Sequence, residues 1–365
     1  MFTEKDLQEL LNFAPERPVL SLYLNTYLDG GNSEVTRLRL RNMLKTIDLP
    51  EDIKVVEQFT NLEFDWKGQS LAIFSCEEAD FLRTFPLSLE VSEQIRVAKR
   101  PVLTPLIGFM ETYGHWGIVL VDQQGARVFS CHLGELEEVE GFMGEEIKQT
   151  KRGGGDSFHG RMGGSTSSAN VAASIDRNIS ESTEHAVAFF KAREIRRIMI
   201  GGTDENITRF SESLPKAWQS LIAATFPLSM TGSYSEILTQ ALSVIKQTAQ
   251  DLQVRLVDQA ITAAAKGSNG ALGIDDILNA IHTGSVQNLL VLENYSEPGI
   301  RCMGCGFMTT QSLESCPFCG GVFSTIDDAV ETSVREARQK NASVIVIPEN
   351  EALKEAGGIA AILRY

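Results

Sequence analysis

Four of the six cysteines stand in two C-x-x-C pairs, Cys302-Met-Gly-Cys305 and Cys316-Pro-Phe-Cys319, ten residues apart. Thiolates at that spacing make a tetrahedral zinc site of the closed, structural kind. Gly306 follows the first pair and Gly320-Gly321 the second. Such glycines let backbone amides turn in toward sulfur. A disulfide framework would need an oxidising compartment. The other two cysteines, Cys76 and Cys131, lie in apolar, strand-like runs and read as buried thiols, which suits a reducing cytoplasm. Four cysteine ligands leave no position open for water, so the ribbon over 299–323 is read as structural rather than catalytic. Its apolar content is small, and metal binding is expected to supply about 10 kcal/mol of its stability.

A second chemical segment runs from Lys148 to Asn170 and is rich in Gly and Ser, with Gly153-Gly154-Gly155 and Gly163-Gly164 inside it. Exposed amides of such a run can cradle an anion. It lacks the G-K-[ST] ending of a nucleotide-binding P-loop. A plain surface linker is the bland reading. Lys148, Lys151, Arg152 and Arg161 favour contact with RNA phosphates, which arginine can hold in bidentate fashion. Few apolar residues are present to pin the segment, so 148–170 is expected to be mobile in the free protein. His159 has a side chain that titrates near neutrality. Its nearest carboxylate is Asp156, and a glycine loop fixes no geometry between them, so a solvated histidine or an RNA contact outweighs acid–base work.

The elements that must position these groups follow from periodicity. Thr3 with Asp6 starts a helix carrying Leu7, Leu10 and Leu11. Val19–Asn25 alternates like a half-buried strand. Residues 34–47 read as an amphipathic helix with Leu38, Leu40 and Leu44 apolar. Arg37, Arg41 and Lys45 share its other face, either solvated or set against rRNA or tRNA backbone. Residues 70–75 and 80–85 are strand-like, and Pro101 and Pro105 punctuate the exit. A meander follows over 116–122, 126–130 and 132–140. Next come a helix over 176–191, a strand over 197–202 and a helix over 203–211. Trp116 and Trp218 are read as core residues. One long helix spans 234–266. Beyond it are a helix around Ile274–Ile281, a strand over 286–292, the ribbon, a helix over 327–340, and strands over 343–347 and 359–363.

At 365 residues the chain exceeds one ordinary domain. The reading is α/β with three domains, at 1–110, 111–233 and 234–365. No run reaches the ~18 apolar residues of a membrane span. The N-terminus shows no signal peptide, so a cytoplasmic location is expected. The formal net charge of −15 argues against a protein that coats itself with nucleic acid, and leaves room for one basic loop.

The chain resembles the archaeo-eukaryotic class I peptide chain release factor and pelota superfamily, in its bacterial branch. The residues that carry this are Ile195-Arg-Arg-Ile-Met-Ile-Gly-Gly-Thr-Asp-Glu-Asn206, the stretch from Gly273 to Val291, and the ribbon inserted behind it. The resemblance covers about residues 112–365. It implies an RNase H-like central domain and an α/β/α sandwich C-terminal domain. It implies a ribosome and tRNA partner, a protein partner factor, and no membrane. Release factors of this family place a Gly-Gly-Gln loop where peptidyl-tRNA ester is hydrolysed. Here the matching residues are Gly163, Gly164 and Ser165, and no Gln occurs between Gln149 and Gln219. Pelota also lacks that loop. The N-terminal part has no Asn-Ile-Lys-Ser decoding motif. Two functions stay open: a translation factor for termination or rescue, and an interaction scaffold with a release-factor fold but no ribosomal role.

Overall fold

The computed structural model describes residues 2–27, 30, 32–144 and 164–365. They form two compact units. One joins Met1–Thr112 to Gln250–Tyr365, and the other is Tyr113–Ala249.

The first unit opens with α1 (Glu4–Asn12), started by a full Thr3–Asp6 capping box, and Leu7, Leu10 and Leu11 are buried as the spacing requires. Next come β1 (Val19–Asn25), α2 (Ser33–Leu44), α3 (Pro50–Leu62), β2 (Ser70–Cys76), β3 (Phe81–Leu87), β4 (Gln94–Ala98) and α4 (Thr104–Tyr113). The four strands make an antiparallel sheet in the order β3-β2-β1-β4. Leu20, Leu22 and Leu24 of β1 pack under Leu40, Leu44 and Val56 of the two helices.

Three expectations need correction here. β1 is buried along its whole length, not on one face. Its second face is closed by the segment before α4: the Tyr23 hydroxyl donates to the Val102 carbonyl at 2.6 Å, and the Val102 amide donates to Ser21 Oγ at 3.0 Å. Leu38 is 57% exposed. The buried stripe of α2 is Thr36, Leu40 and Leu44, four apart, and Leu38 sits about 200° around the helix from Leu40. The proline-marked exit contains α4, because Pro105 lies in its first turn, where a missing N–H costs nothing.

The second unit holds β5 (Trp116–Val121), β6 (Gly125–His132), β7 (Glu135–Met143), α5 (Gly164–Ala192), β8 (Ile198–Gly201), α6 (Asp204–Ser213), α7 (Lys216–Gln219), β9 (Ile222–Phe226) and the first half of α8 (Tyr234–Ala265). Its sheet runs β7-β6-β5-β8-β9. The first three strands form an antiparallel meander, and β8 and β9 join parallel to β5. That is the RNase H-like arrangement. Ile175, Ile179 and Phe190 of α5 and Phe210 of α6 cover one face. Ile237, Ala241 and Ile245 of α8 cover the other. Trp116 is buried and Trp218 packs against this core.

Helix α5 starts twelve residues before the Asp176 expected from the sequence. Val171 and Ile175 continue its apolar stripe at i, i+4 spacing, and this packing overrides the weak helix propensity of the Ser-Thr run.

The rest of the first unit comprises β10 (Gly270–Leu272), α9 (Ile274–Thr283), β11 (Val286–Leu292), β12 (Gly299–Cys302), β13 (Met308–Thr309), β14 (Phe323–Ile326), α10 (Ala329–Gln339), β15 (Ser343–Ile347), α11 (Glu351–Glu355) and β16 (Ile359–Leu363). A mixed sheet runs β10-β16-β11-β15. The end of α8, with Val257 and Ala260, packs with Leu353 of α11 on one face. Helices α9 and α10 pack against the same strands from the other, giving an α/β/α sandwich. The ribbon, sheet β13-β12-β14, sits between strand β11 and helix α10 as the sequence order required.

Buried polar groups of α10 join the N-terminal sheet to this sandwich. The Glu331 carboxylate accepts from the Leu103 amide at 2.7 Å and the Thr104 hydroxyl at 2.5 Å, at the start of α4. Arg335, only 4% exposed, donates to the carbonyls of Leu10 and Leu11 and, at 2.7 Å, to that of Pro101. Asp328 caps α10 through the amides of Val330 and Glu331, and its other oxygen pairs with Arg96 of β4 at 2.8 Å. Burial pushes the Glu331 carboxyl above its ordinary range, while the Leu103 amide, the Thr104 hydroxyl and the Arg335 charge pull the other way.

Candidate metal centre and glycine-rich segment

Two turns of the same form present the four thiols. In the first, the Gly306 amide donates to the Cys302 carbonyl at 3.0 Å, and the Cys302 amide donates to the Phe307 carbonyl at 2.8 Å. In the second, Gly320 donates to Cys316 at 2.8 Å and Cys316 to Gly321 at 3.0 Å. Gly306 and Gly320 have φ of +79° and +70°, which a side chain would strain. A Cβ on Gly304 or Gly321 would come within 3.1 or 3.0 Å of a cysteine sulfur, so a side chain there would push on the sulfur cluster.

The four sulfurs of Cys302, Cys305, Cys316 and Cys319 all lie within 4.8 Å of one another. Cys302 and Cys319 are 3.4 Å apart, and Cys305 and Cys316 are 3.5 Å apart. No disulfide joins the described cysteines, and Cys76 and Cys131 are buried thiols as expected. An ion about 2.3 Å from each sulfur would sit in a tetrahedron with edges of about 3.8 Å. The cluster fits a metal ion of that kind. The Gly304 amide donates to the Cys302 sulfur at 3.3 Å, a contact that favours the thiolate form that metal requires.

The ribbon is anchored by a carboxylate that the sequence reading did not single out. Asp275, in the first turn of α9, accepts from the Thr309 hydroxyl and Thr310 amide at 2.8 Å, the Thr310 hydroxyl at 3.0 Å and Gln311 Nε2 at 3.2 Å. Burial opposes its charge, but these donors outweigh burial and hold the carboxyl below its ordinary value. On the α10 side, Arg301 of β12 pairs with Glu336 at 2.8 Å.

Of the glycine-rich segment, Lys148, Lys151, Arg152, His159, Arg161 and Gly163 lie outside the described residues. Gly164 and Ser165 are the first two residues of α5, so this end of the expected loop is helical. The basic face of α2 is not uniform. Arg37 lies over the Trp66 ring at 5.1 Å, while Arg41 and Lys45 are exposed. In the second unit, His115 and His132 stack with ring centroids 4.0 Å apart. Burial, and then the His115 charge, lower His132 from 6.5 to about 4.

Residues 101–246 match the family model of Bacterial archaeo-eukaryotic release factor family 10, and residues 252–365 match that of eRF1 domain 3. The chain belongs to the release factor and pelota superfamily, in its bacterial branch. The first match encloses the RNase H-like sheet and the whole glycine-rich segment; the second encloses the α/β/α sandwich and the four cysteines. No curated protein matches the chain. Among solved structures, archaeal translation termination factor aRF1 is 19% identical over 99% of this chain and 96% of that one, with a TM-score of 0.28. The C-terminal domain of a Methanosarcina mazei peptide chain release factor is 24% identical over 36% of this chain and 93% of its own, with a TM-score of 0.27. Archaeal Pelota, from a model of its ribosome-bound form with ABCE1, is 12% identical over 100% and 94%, with a TM-score of 0.42. The two family matches make this a release-factor-like protein, and no described helix is long and apolar enough to cross a membrane.

Proposed function

We propose that this chain acts in the cytoplasm on the ribosome or its peptidyl-tRNA, in termination or rescue, and does so without the catalytic glutamine of the Gly-Gly-Gln loop. The observation that carries this reading is that the release-factor match over 101–246 encloses a basic, glycine-rich segment ending in Gly163-Gly164-Ser165. Lys148, Lys151, Arg152 and Arg161 supply phosphate contacts. The Ser165 backbone amide supports what ester polarisation there is, and its side chain offers no amide. The metal in the four-cysteine cluster is zinc, with a structural role. A protein partner factor assists delivery.

Co-sedimentation with ribosome complexes over a salt series tests the binding half. Binding is expected to weaken steeply with salt as counterions are released, and to drop when Lys151, Arg152 and Arg161 become alanine. A single-turnover release assay on stalled complexes tests the chemistry. Wild-type hydrolysis is expected to be slower than that of a Gln-bearing release factor by about 10²–10³, the usual cost of one lost transition-state donor. Ser165→Gln should recover part of it. Absence of binding at every salt concentration would replace this reading with the scaffold reading.

A further inference from the structure

Strand β4 is an edge of its sheet, and β14 is an edge of the ribbon sheet. Both border one cleft of about 620 Å³ within the first unit. The cleft is lined by consecutive residues of each strand: Arg96, Val97 and Ala98 on one side, Ser324, Thr325 and Ile326 on the other. Side chains alternate faces along a strand, so a wall built from consecutive residues is a strand edge and not a sheet face. Among the described residues, neither strand makes a backbone–backbone hydrogen bond outside its own ladder. What crosses the gap is side chain: Arg96 to Asp328, and Lys99 Nζ to the Thr325 carbonyl at a long 3.5 Å. Unpaired edges are normally blunted, because free N–H and C=O groups recruit other strands. Here two face each other across a slot.

We propose that this slot takes an extended peptide segment of a protein partner, added as a strand to β4 with β14 as the opposite wall. Main-chain hydrogen bonds would supply most of the affinity and the flanking side chains the selectivity. Charge names the chemistry of the peptide. Of the charged side chains lining the slot, Arg96 and Arg301 are paired with Asp328 and Glu336, and Glu331 and Arg335 are engaged in the joint with α4. Exposed Arg100 remains, with exposed Lys99 held by no carboxylate and only by its long contact to the Thr325 carbonyl, against exposed Asp327. The occupant is therefore an acidic peptide. A second copy of this chain is disfavoured by its net charge of −15. The proposal does not depend on the ribosomal reading.

The test uses the full chain and a displayed library of eight-residue peptides with Glu at both ends and six varied positions. Enriched peptides are resynthesised and titrated by fluorescence anisotropy. Binding is expected, with slowed amide exchange in 94–98 and 323–326. N-methylation at alternate peptide residues should abolish it, since that removes ladder donors and keeps the side chains. The exposed-site variant Lys99→Glu/Arg100→Glu should weaken binding at least tenfold, and peptides with Lys in place of Glu should recover it. Failure to enrich any peptide overturns the proposal. So does binding that survives N-methylation or protects other residues. A concentration-dependent dimer that is lost in the same double variant would assign the slot to a second copy instead and overturn it equally.

Discussion

The four-cysteine ribbon and the buried joint around α10 are both clusters of polar or ligating side chains, built on opposite scales. Ribbon ligands paired across the site are 17 residues apart or fewer. The joint ties residues separated by 227 to 325 positions. In the ribbon, two repeated local turns present the sulfurs, and an ion held there would supply the binding energy. In the joint, Glu331 and Arg335 bind backbone groups that arrive only once the chain ends have met. Each charge is then bound to groups that cannot move away. A local cluster can fail alone, whereas a long-range one fails with its unit.

The largest effect is expected from Cys316→Ser. Zinc content should fall from one per chain to near zero, and amide protection over 299–326 should vanish, a local loss of about 10 kcal/mol. The Tyr113–Ala249 unit should keep its unfolding transition. Elemental analysis with hydrogen exchange reads both, and a chain that keeps an ordered ribbon without metal would break the contrast.

Arg335→Met comes next. It strips donors from the carbonyls of Leu10, Leu11 and Pro101 and leaves Glu331 uncompensated. Breaking a buried charge in this way costs about 3–5 kcal/mol. Denaturant unfolding should show the loss across the whole first unit, including 1–112. Adding Glu331→Gln should return part of it, and loss confined to α10 would show that the joint is local after all.

Asp275→Asn should cost less, about 1–3 kcal/mol, the penalty for groups left unpaired in a partly buried site. Zinc should stay, while exchange quickens over 308–311. Zinc loss in that variant would mean that the metal site leans on α9.

The smallest effect serves as the control in the other unit. His132 is lowered to about 4 in the fold and returns to 6.5 when unfolded. The unfolded chain therefore takes up the proton first, so this stability is present above about pH 6.5 and lost as pH falls toward 4. His132→Phe should flatten that slope in the second unit, separating it from acid release of the metal in the first.

Local spacing carried a good deal. The knuckle glycines, the Thr3–Asp6 box, the span of α8 and the order strand, ribbon, helix were all readable, because each depends on neighbours within a few turns of chain. The metal cluster was readable for the same reason. Pairing between distant segments was not. The sequence marked Val19–Asn25 as a strand, but only the arrival of Val102 against Ser21 and Tyr23 buried its second face. Arg37 looked like one of a row of solvated cations until Trp66 was folded beneath it. Pro105 reads as a break and is a first-turn residue. Ser165 reads as a loop residue, and the packing of Val171 and Ile175 draws its backbone into α5. Glu331 and Arg335 sit in a helix whose charges look solvent-facing by pattern alone. Burial of a charge is decided by what closes over it, and here that comes from more than 200 residues away. The spacing of residues determined which elements and which ligand set this chain has; the tertiary structure decided which faces are closed, which charges are buried and which strand edges are left open.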